Sequence, residues 1–199
     1  MKLSVKGFDI HSGFLDGAEQ RAVLVAVRAV VAKAPFFRPV MPNGALMSVR
    51  MTAAGKYGWV SDEKGYRYSQ FHPAGVAWPE IPTEVLAIWR EVTGLERQPE
   101  CCLVNYYGAE AKMGLHRDRD EASMEWPVVS VSLGDEGLFR MGNMTRGGKT
   151  QSHWLRSGDV VVMGGEARLA YHGIDRIRAG SSKLLPKGGR LNLTLRVVE

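Results

Sequence analysis

The stretch "LHRDRDEA" at 115–122 sets His116 two residues ahead of Asp118, inside a run of alternating charge. An imidazole and a carboxylate supply two of the three ligands of a mononuclear non-haem iron site. Such a site takes two imidazoles and one carboxylate on one face of the metal and leaves the other positions open. On an extended segment, side chains at i and i+2 point to the same side, so both could reach one ion. The plain alternative is a solvated charged loop, the commoner fate of such a run. The chain has five histidines, His11, His72, His116, His153 and His172. His172, in "ARLAYHGI", ends an apolar segment and precedes Gly173, which permits a tight turn. His153, in "TQSHWLRSGD", competes with it for the place of third ligand.

A second pattern lies near the end of the chain. "RLNLTLR" sets Arg190, Asn192, Thr194 and Arg196 at period two, so all four project from one face of a strand while Leu191, Leu193 and Leu195 take the other. An edge strand with a polar outer face would read this way. So would a carboxylate clamp, because two guanidinium groups suit a dicarboxylate through charge-assisted, two-pronged hydrogen bonds.

These residues need a scaffold. The 199-residue chain is 45% hydrophobic, which fits one domain with a sizeable core. Residues 17–34, rich in Ala and Val, read as a helix, and "WPEIPTEVLAIWREVTGL" as a second one with Leu86, Trp89 and Val92 as its apolar stripe. Between them "APFFRPVMPNGALMSVRM" reads as a loop entering a short extended piece, and "GKYGWVSDEKGYRYSQF" as a hairpin. From residue 101 onward, short strand candidates follow one another: "CCLVNYYG", "VVSVSLG", "GLFRMGN", "TQSHWLRSGDVVVMGG", "RLAYHGI" and "RLNLTLRVV". Strands without long intervening helices indicate an antiparallel barrel or a double-sheet jelly roll. The net charge of +5 and pI of about 9.3 permit a polyanionic partner without requiring one. Cys101 and Cys102 are adjacent, so no disulfide framework is expected, and a reducing compartment suits the chain. The start lacks an apolar signal core, and the apolar run at 22–34 is short and interrupted by Arg28; the expectation is a soluble, cytoplasmic protein without a membrane span.

The order H-x-D, distal His, R-x-N-x-T-x-R resembles the AlkB family of iron(II)- and 2-oxoglutarate-dependent dioxygenases. The likeness runs in order through "MSVRMTAAGKYGWVSDEKGYRYS" (47–69), "CLVNYYGAEAKMGLHRDRDE" (102–121), "PVVSVSLG" (127–134) and "GDVVVMGGEARLAYHGI" (158–174), nearly the whole chain after the first helix. It implies an α+β, mainly β fold: a double-stranded β-helix (jelly roll) with an N-terminal helical and hairpin substrate-recognition lid. In this reading 1–199 is a single dioxygenase domain, with the extension and lid near 1–80 and the catalytic core near 101–199. His116, Asp118 and His172 would hold Fe(II). Asn105, Tyr107, Arg190, Asn192 and Arg196 would bind 2-oxoglutarate, with Arg190 on its distal carboxylate. The chemistry implied consumes O2, converts 2-oxoglutarate to succinate and removes an N-methyl group as formaldehyde.

An alkylated base hides its methyl group on the pairing edge, so such an enzyme must flip it out or act on single strands. The resemblance places Trp59 and Tyr66 on the lid as base-stacking residues, Asp120 at the polar edge of a cationic base such as 1-methyladenine or 3-methylcytosine, and Arg146 near the base or its phosphate. Core packing for Trp59, surface pairing with Arg117 or Arg119 for Asp120 and a solvated loop for Arg146 are the plainer readings. Lys56, Lys64 and Arg67 form a candidate phosphate-facing group. Arg117 between the ligands and Met163 before Gly164 depart from relatives in ways that bear on specificity. The expected partner is alkylated single-stranded or flipped-base DNA, or RNA, bound by a monomer. The same chemistry on tRNA, protein or a small molecule, or a non-catalytic nucleic-acid-binding module, are the alternatives.

Overall fold

The computed structural model describes residues 1–199. The chain opens with strands β1 (Lys2–Val5) and β2 (Phe8–His11), followed by helix α1 (Gly17–Lys33). Next come β3 (Arg50–Gly55), β4 (Gly58–Asp62), β5 (Gly65–Ser69) and helix α2 (Thr83–Thr93). Eight strands complete it: β6 (Cys101–Tyr107), β7 (Met113–His116), β8 (Val128–Gly134), β9 (Glu136–Met141), β10 (Gln151–Leu155), β11 (Val160–Met163), β12 (His172–Arg178) and β13 (Arg190–Arg196).

Seven strands form a large sheet in the order β1-β2-β11-β8-β13-β6-β3, and four form a smaller one, β10-β9-β12-β7. Strands β4 and β5 pair with each other in a separate hairpin. The paired strands run antiparallel, as in a jelly roll. Both predicted helices form. Asp16 caps α1 by accepting from the amides of Ala18 and Glu19, while Glu19 returns a bond to the Asp16 amide, so the β-branched residues of α1 are held by a capping box. On α2 the buried face is Val85, Ile88 and Trp89; Leu86 and Val92 of the expected stripe lie at its margin. No helix is long and apolar enough to cross a membrane.

Two layers of core follow from the period-two pattern. Leu191, Leu193 and Leu195 pack with Val23, Val27, Val85 and Trp89 against the helices. Phe8, Leu103, Phe139, Met141, Met163 and Ile174 fill the space between the two sheets. The polar face of β13 therefore points between the sheets. The edge-strand reading of "RLNLTLR" is overturned: β13 lies between β8 and β6, and all seven of its residues are buried.

Strands that precede residue 101 also build the large sheet. The β1–β2 hairpin extends it by pairing with β11, and β3 borders β6. This N-terminal hairpin escapes a pattern reading because its strands have four residues each and turn through Lys6-Gly7, with Lys6 at a positive φ of 50°.

Candidate active site

His116 is the last residue of β7, and His172 the first of β12; the two are direct cross-strand partners. This differs from the expected geometry in two respects. Asp118 lies just beyond the strand rather than on it, and His172 begins a strand rather than ending one. Gly173 is then no turn residue. It lets β7 and β12 approach, because a Cβ there would stand 2.5 Å from Met113 O and 2.8 Å from Gly114 O.

The ligating atoms of His116, Asp118 and His172 lie within 4.8 Å of one another. Each imidazole Nε2 is 3.9 Å from a different oxygen of Asp118. The other ring nitrogen is fixed by the backbone: His116 Nδ1 lies 2.9 Å from Gly114 O, and His172 Nδ1 3.0 Å from Ala170 O. A carbonyl can only accept, so each Nδ1 carries the proton and each Nε2 offers its lone pair inward. Burial, reinforced by neighbouring His116, pulls His172 down to about 4, which keeps it neutral and ligand-ready at neutral pH. Burial alone would raise the Asp118 carboxyl, but Arg196 and the two imidazoles outweigh it and hold it well below the usual carboxylate range. The His116 side chain is 41% exposed, so one side of the cluster is open. His153, the competitor, lies on β10 opposite Phe139, outside the cluster.

The cluster opens into a cavity of about 870 Å³ between the sheets. Arg190, Asn192, Thr194 and Arg196 line it from β13, and Asn105 and Tyr107 from β6. Register explains the grouping: Arg190 pairs with Tyr107, and Asn192 with Asn105. Arg190 is fully buried, yet forms no salt bridge. Its Nη atoms donate to Asp135 O and Leu155 O (3.3 Å each) and to Ser132 Oγ (2.7 Å). Its Nε has no partner. Burial lowers this guanidinium to about 10, which leaves it charged at neutral pH. Gly137 makes room for it: a Cβ there would stand 2.9 Å from Nε. A buried, unpaired cation with a vacant donor fits an anionic oxygen. Asn105 Oδ1 is likewise without a partner. Arg196, the other expected clamp residue, is engaged by Asp118, with Nε at 3.2 Å and Nη2 at 3.0 Å from Oδ2.

At the mouth stand Trp59 and Tyr66, their rings 5.2 Å apart and 19° from parallel. They are diagonal neighbours across the β4–β5 hairpin, where Trp59 faces Tyr68 and Ser61 faces Tyr66. Asp120 joins them by accepting from Trp59 Nε1 at 3.0 Å. It is therefore tied to the hairpin rather than to Arg117 or Arg119. Arg146 reaches the same cavity, and its guanidinium and that of Arg117 lie 6.0 and 5.4 Å from the ring of Tyr171. Met163 lines the wall and is buried. The basic group expected to face phosphates is mostly paired: Lys56 with Glu199, and Arg67 with Asp62 through two bonds, leaving Lys64. Sequence reading missed Tyr171, Tyr68, Glu121 and Arg168, which also frame this region. Tyr68 carried a signal, since it shares a strand face with Tyr66.

Comparison with known proteins gives this geometry its context. The sequence pattern of the 2OG-Fe(II) oxygenase superfamily matches residues 7–196. The α-ketoglutarate-dependent dioxygenase AlkB homolog of Caulobacter vibrioides is 51% identical over 193 residues, covering 96% of this chain and 88% of that one. The α-ketoglutarate-dependent dioxygenase AlkB of Escherichia coli is 39% identical over 175 residues, covering 85% of this chain and 81% of its own. Among solved structures, that of OsALKBH1 superposes with a TM-score of 0.81 at 28% identity, covering 99% of this chain and 100% of that one. The His-Asp-His cluster, open on the His116 side, and the buried unpaired guanidinium suit iron(II) and 2-oxoglutarate, and the chain is an iron(II)- and 2-oxoglutarate-dependent dioxygenase that belongs to the AlkB family.

Proposed function

We propose that this enzyme oxidatively demethylates N-alkylated nucleobases, 1-methyladenine and 3-methylcytosine, in DNA and also in RNA, and so reverses alkylation damage directly. One observation carries the reading: a single cavity joins the His-Asp-His cluster and the unpaired Arg190 to a stacked aromatic pair and a carboxylate at its mouth. Bound there, iron(II) with 2-oxoglutarate and O2 supplies the oxidation, one oxygen atom ending in succinate beside released CO2 and the other in formaldehyde.

The chain's own residues do the rest. His116, Asp118 and His172 would hold the metal through two neutral nitrogens and one carboxylate. Arg190 would take the distal carboxylate of 2-oxoglutarate through its free Nε, with Asn105, Tyr107 and Asn192 beside it and Arg196 holding Asp118. Trp59 and Tyr66 offer a face for a flipped base, and the Asp120 oxygen not bonded to Trp59 is free for an exocyclic amine. A carboxylate there favours a cationic ring. Arg146, on an exposed loop at the mouth, would meet the base or its phosphate.

The cluster, the clamp and the aromatic face need no residue of a second copy to complete them, and the enzyme is read as acting as a monomer. Cys101 and Cys102 are free and buried, which suits the reducing cytoplasm. Short single strands, each with one methylated base, are mixed with protein, iron(II) and 2-oxoglutarate. Succinate and formaldehyde should form in equal amounts on 1-methyladenine and 3-methylcytosine. Succinate alone on every strand, with formaldehyde appearing only on a methylated peptide or small molecule, would move the substrate out of nucleic acid.

A further inference from the structure

Beside the cavity, two carboxylates and two guanidinium groups are buried together. Arg196 bonds Asp118 and also reaches Glu121 Oε1 at 3.4 Å. Glu121 Oε2 accepts from Arg168 Nη2 at 3.0 Å, and Arg168 Nη1 donates to the backbone carbonyl of Asp118 at 2.7 Å. The Glu121 side chain is only 1% exposed, and that of Arg168 4%. The charges balance. Taking four ions out of water is costly, and ion pairing offsets it only when the geometry is complete. Such a cluster fixes positions more than it adds stability.

One neutral group enters this cluster from outside. Tyr68, on β5, donates its hydroxyl to Glu121 Oε1 at 2.6 Å. Its cross-strand partner is Trp59, whose indole donates to Asp120. Two opposed residues of the hairpin are thus held by two successive carboxylates, Asp120 and Glu121, which follow Asp118 after Arg119 in the chain. The hairpin belongs to neither larger sheet, so no ladder of backbone bonds sets its distance from the metal cluster.

We propose that Tyr68 and Glu121 are positioning residues: they tie the recognition hairpin to Arg196, the guanidinium that also holds Asp118, and so set the aromatic face relative to the metal cluster. They act through Trp59 and Arg196. The inference rests on the recognition role given above to Trp59.

The test is Tyr68→Phe in the full-length protein, a change that removes one oxygen and keeps the ring. Affinity for a single strand carrying one 3-methylcytosine should fall about tenfold, the scale of one hydrogen bond to a charged acceptor. Hydrogen exchange should quicken across residues 58–69 and stay unchanged in β8 and β13. KM for the strand should rise while kcat changes little. Adding Tyr68→Phe to Trp59→Ala should cost less than it does in the wild-type protein, because both changes act on one contact. Wild-type affinity with wild-type exchange in the hairpin would overturn the proposal. So would faster exchange throughout the protein, which would make the hydroxyl a general stabiliser. If the wild-type protein does not distinguish methylated from unmethylated strands, base recognition fails instead, and hairpin exchange still decides whether the clamp exists.

Discussion

Strand β13 and the β4–β5 hairpin line the same cavity and are built by opposite means. Strand β13 is central, buried at every residue, and bonded to a neighbour on each side. The hairpin has only its own two strands; Tyr66 is 52% exposed, and the side chains of Arg67 and Asp62 are about half exposed. A polar atom on β13 without a partner is costly, so Arg190 Nε and its charge amount to a requirement for a ligand. The polar groups on the outer side of the hairpin, Arg67 and Asp62 among them, have water, while Ser61 and Tyr68 find protein acceptors. The chemical end is thus preorganised, and the recognition end is held at few points, as suits a surface that must accept a base swung out of its strand. Mutations at the two ends should differ in size and in kind.

The largest effect is expected at the metal cluster. His172→Ala removes one inward nitrogen from a buried site, and succinate formation should fall to background. Calorimetric titration with Mn2+ should show weakened binding, and circular dichroism a folded protein. Turnover like wild type in the folded variant would return the third-ligand role to His153. Next comes Arg190→Lys, which keeps a charge and loses the planar fork. KM for 2-oxoglutarate should rise about 10- to 100-fold, the range for a lost charge-assisted hydrogen bond. Thermal stability should also fall, since this guanidinium bonds Ser132 and two backbone carbonyls. An unchanged KM would shift the clamp to Arg196 and leave Arg190 as a structural cation of β13.

How far each end was legible follows from the same contrast. Period two in "RLNLTLR" identified the strand and its polar face, because alternation is a property of the chain itself. Its central place in the sheet was not legible, since that depends on which strands flank it. The H-x-D spacing pointed to the metal cluster, but β7 is four residues with a glycine, and pairing with β12 makes it a strand. The hairpin was legible from its turn glycines and aromatics. Its attachment was not: Trp59 to Asp120 and Tyr68 to Glu121 span 61 and 53 residues, and no local pattern encodes such contacts. Lys56 read as a free cation for the same reason, because Glu199 lies 143 residues away; Arg67 meets Asp62 only five residues off, a pairing set by the register of the hairpin rather than by distance along the chain.

Within the hairpin, two substitutions separate stacking from charge. Trp59→Ala should weaken binding of 1-methyladenine and 3-methylcytosine strands alike, by the roughly 1–3 kcal/mol of a base–aromatic stack. Asp120→Ala should reduce repair most on these cationic bases and least on a neutral one such as 1-methylguanine. Asp120 also accepts from the Trp59 indole, so part of its effect passes through Trp59. Trp59→Phe isolates that part, keeping a stacking ring without the N–H. Rates on single-lesion strands at fixed salt give the answer. An even loss across charged and neutral lesions in Asp120→Ala would leave its carboxylate as a support for Trp59 and nothing more.

The smallest effect concerns the hairpin's own ion pair. Arg67 meets Asp62 through Nη1 at 2.8 Å and Nη2 at 2.6 Å, and both groups face water. The pairing lowers the exposed Asp62 carboxyl to about 2, chiefly through its bond to Arg67. Exposed pairs of this kind add little to stability, so Asp62→Asn should leave the melting temperature nearly unchanged. It should, however, release a guanidinium beside the cavity mouth. A phosphate contacted by that group would displace counterions, and each such contact steepens the dependence of log K on log salt by about 0.7 for a single strand. The variant should therefore bind unmethylated and methylated strands more tightly by a similar factor at low salt, with a salt slope steeper by about that amount. The ratio between methylated and unmethylated affinities should not move, because a phosphate contact positions without reading the base. A salt slope identical to wild type would mean that Arg67 faces away from the strand and that Asp62 holds it there at no cost to binding. A changed ratio would mean that the pair shapes the aromatic face itself, and that the hairpin is less adaptable than its exposure suggests.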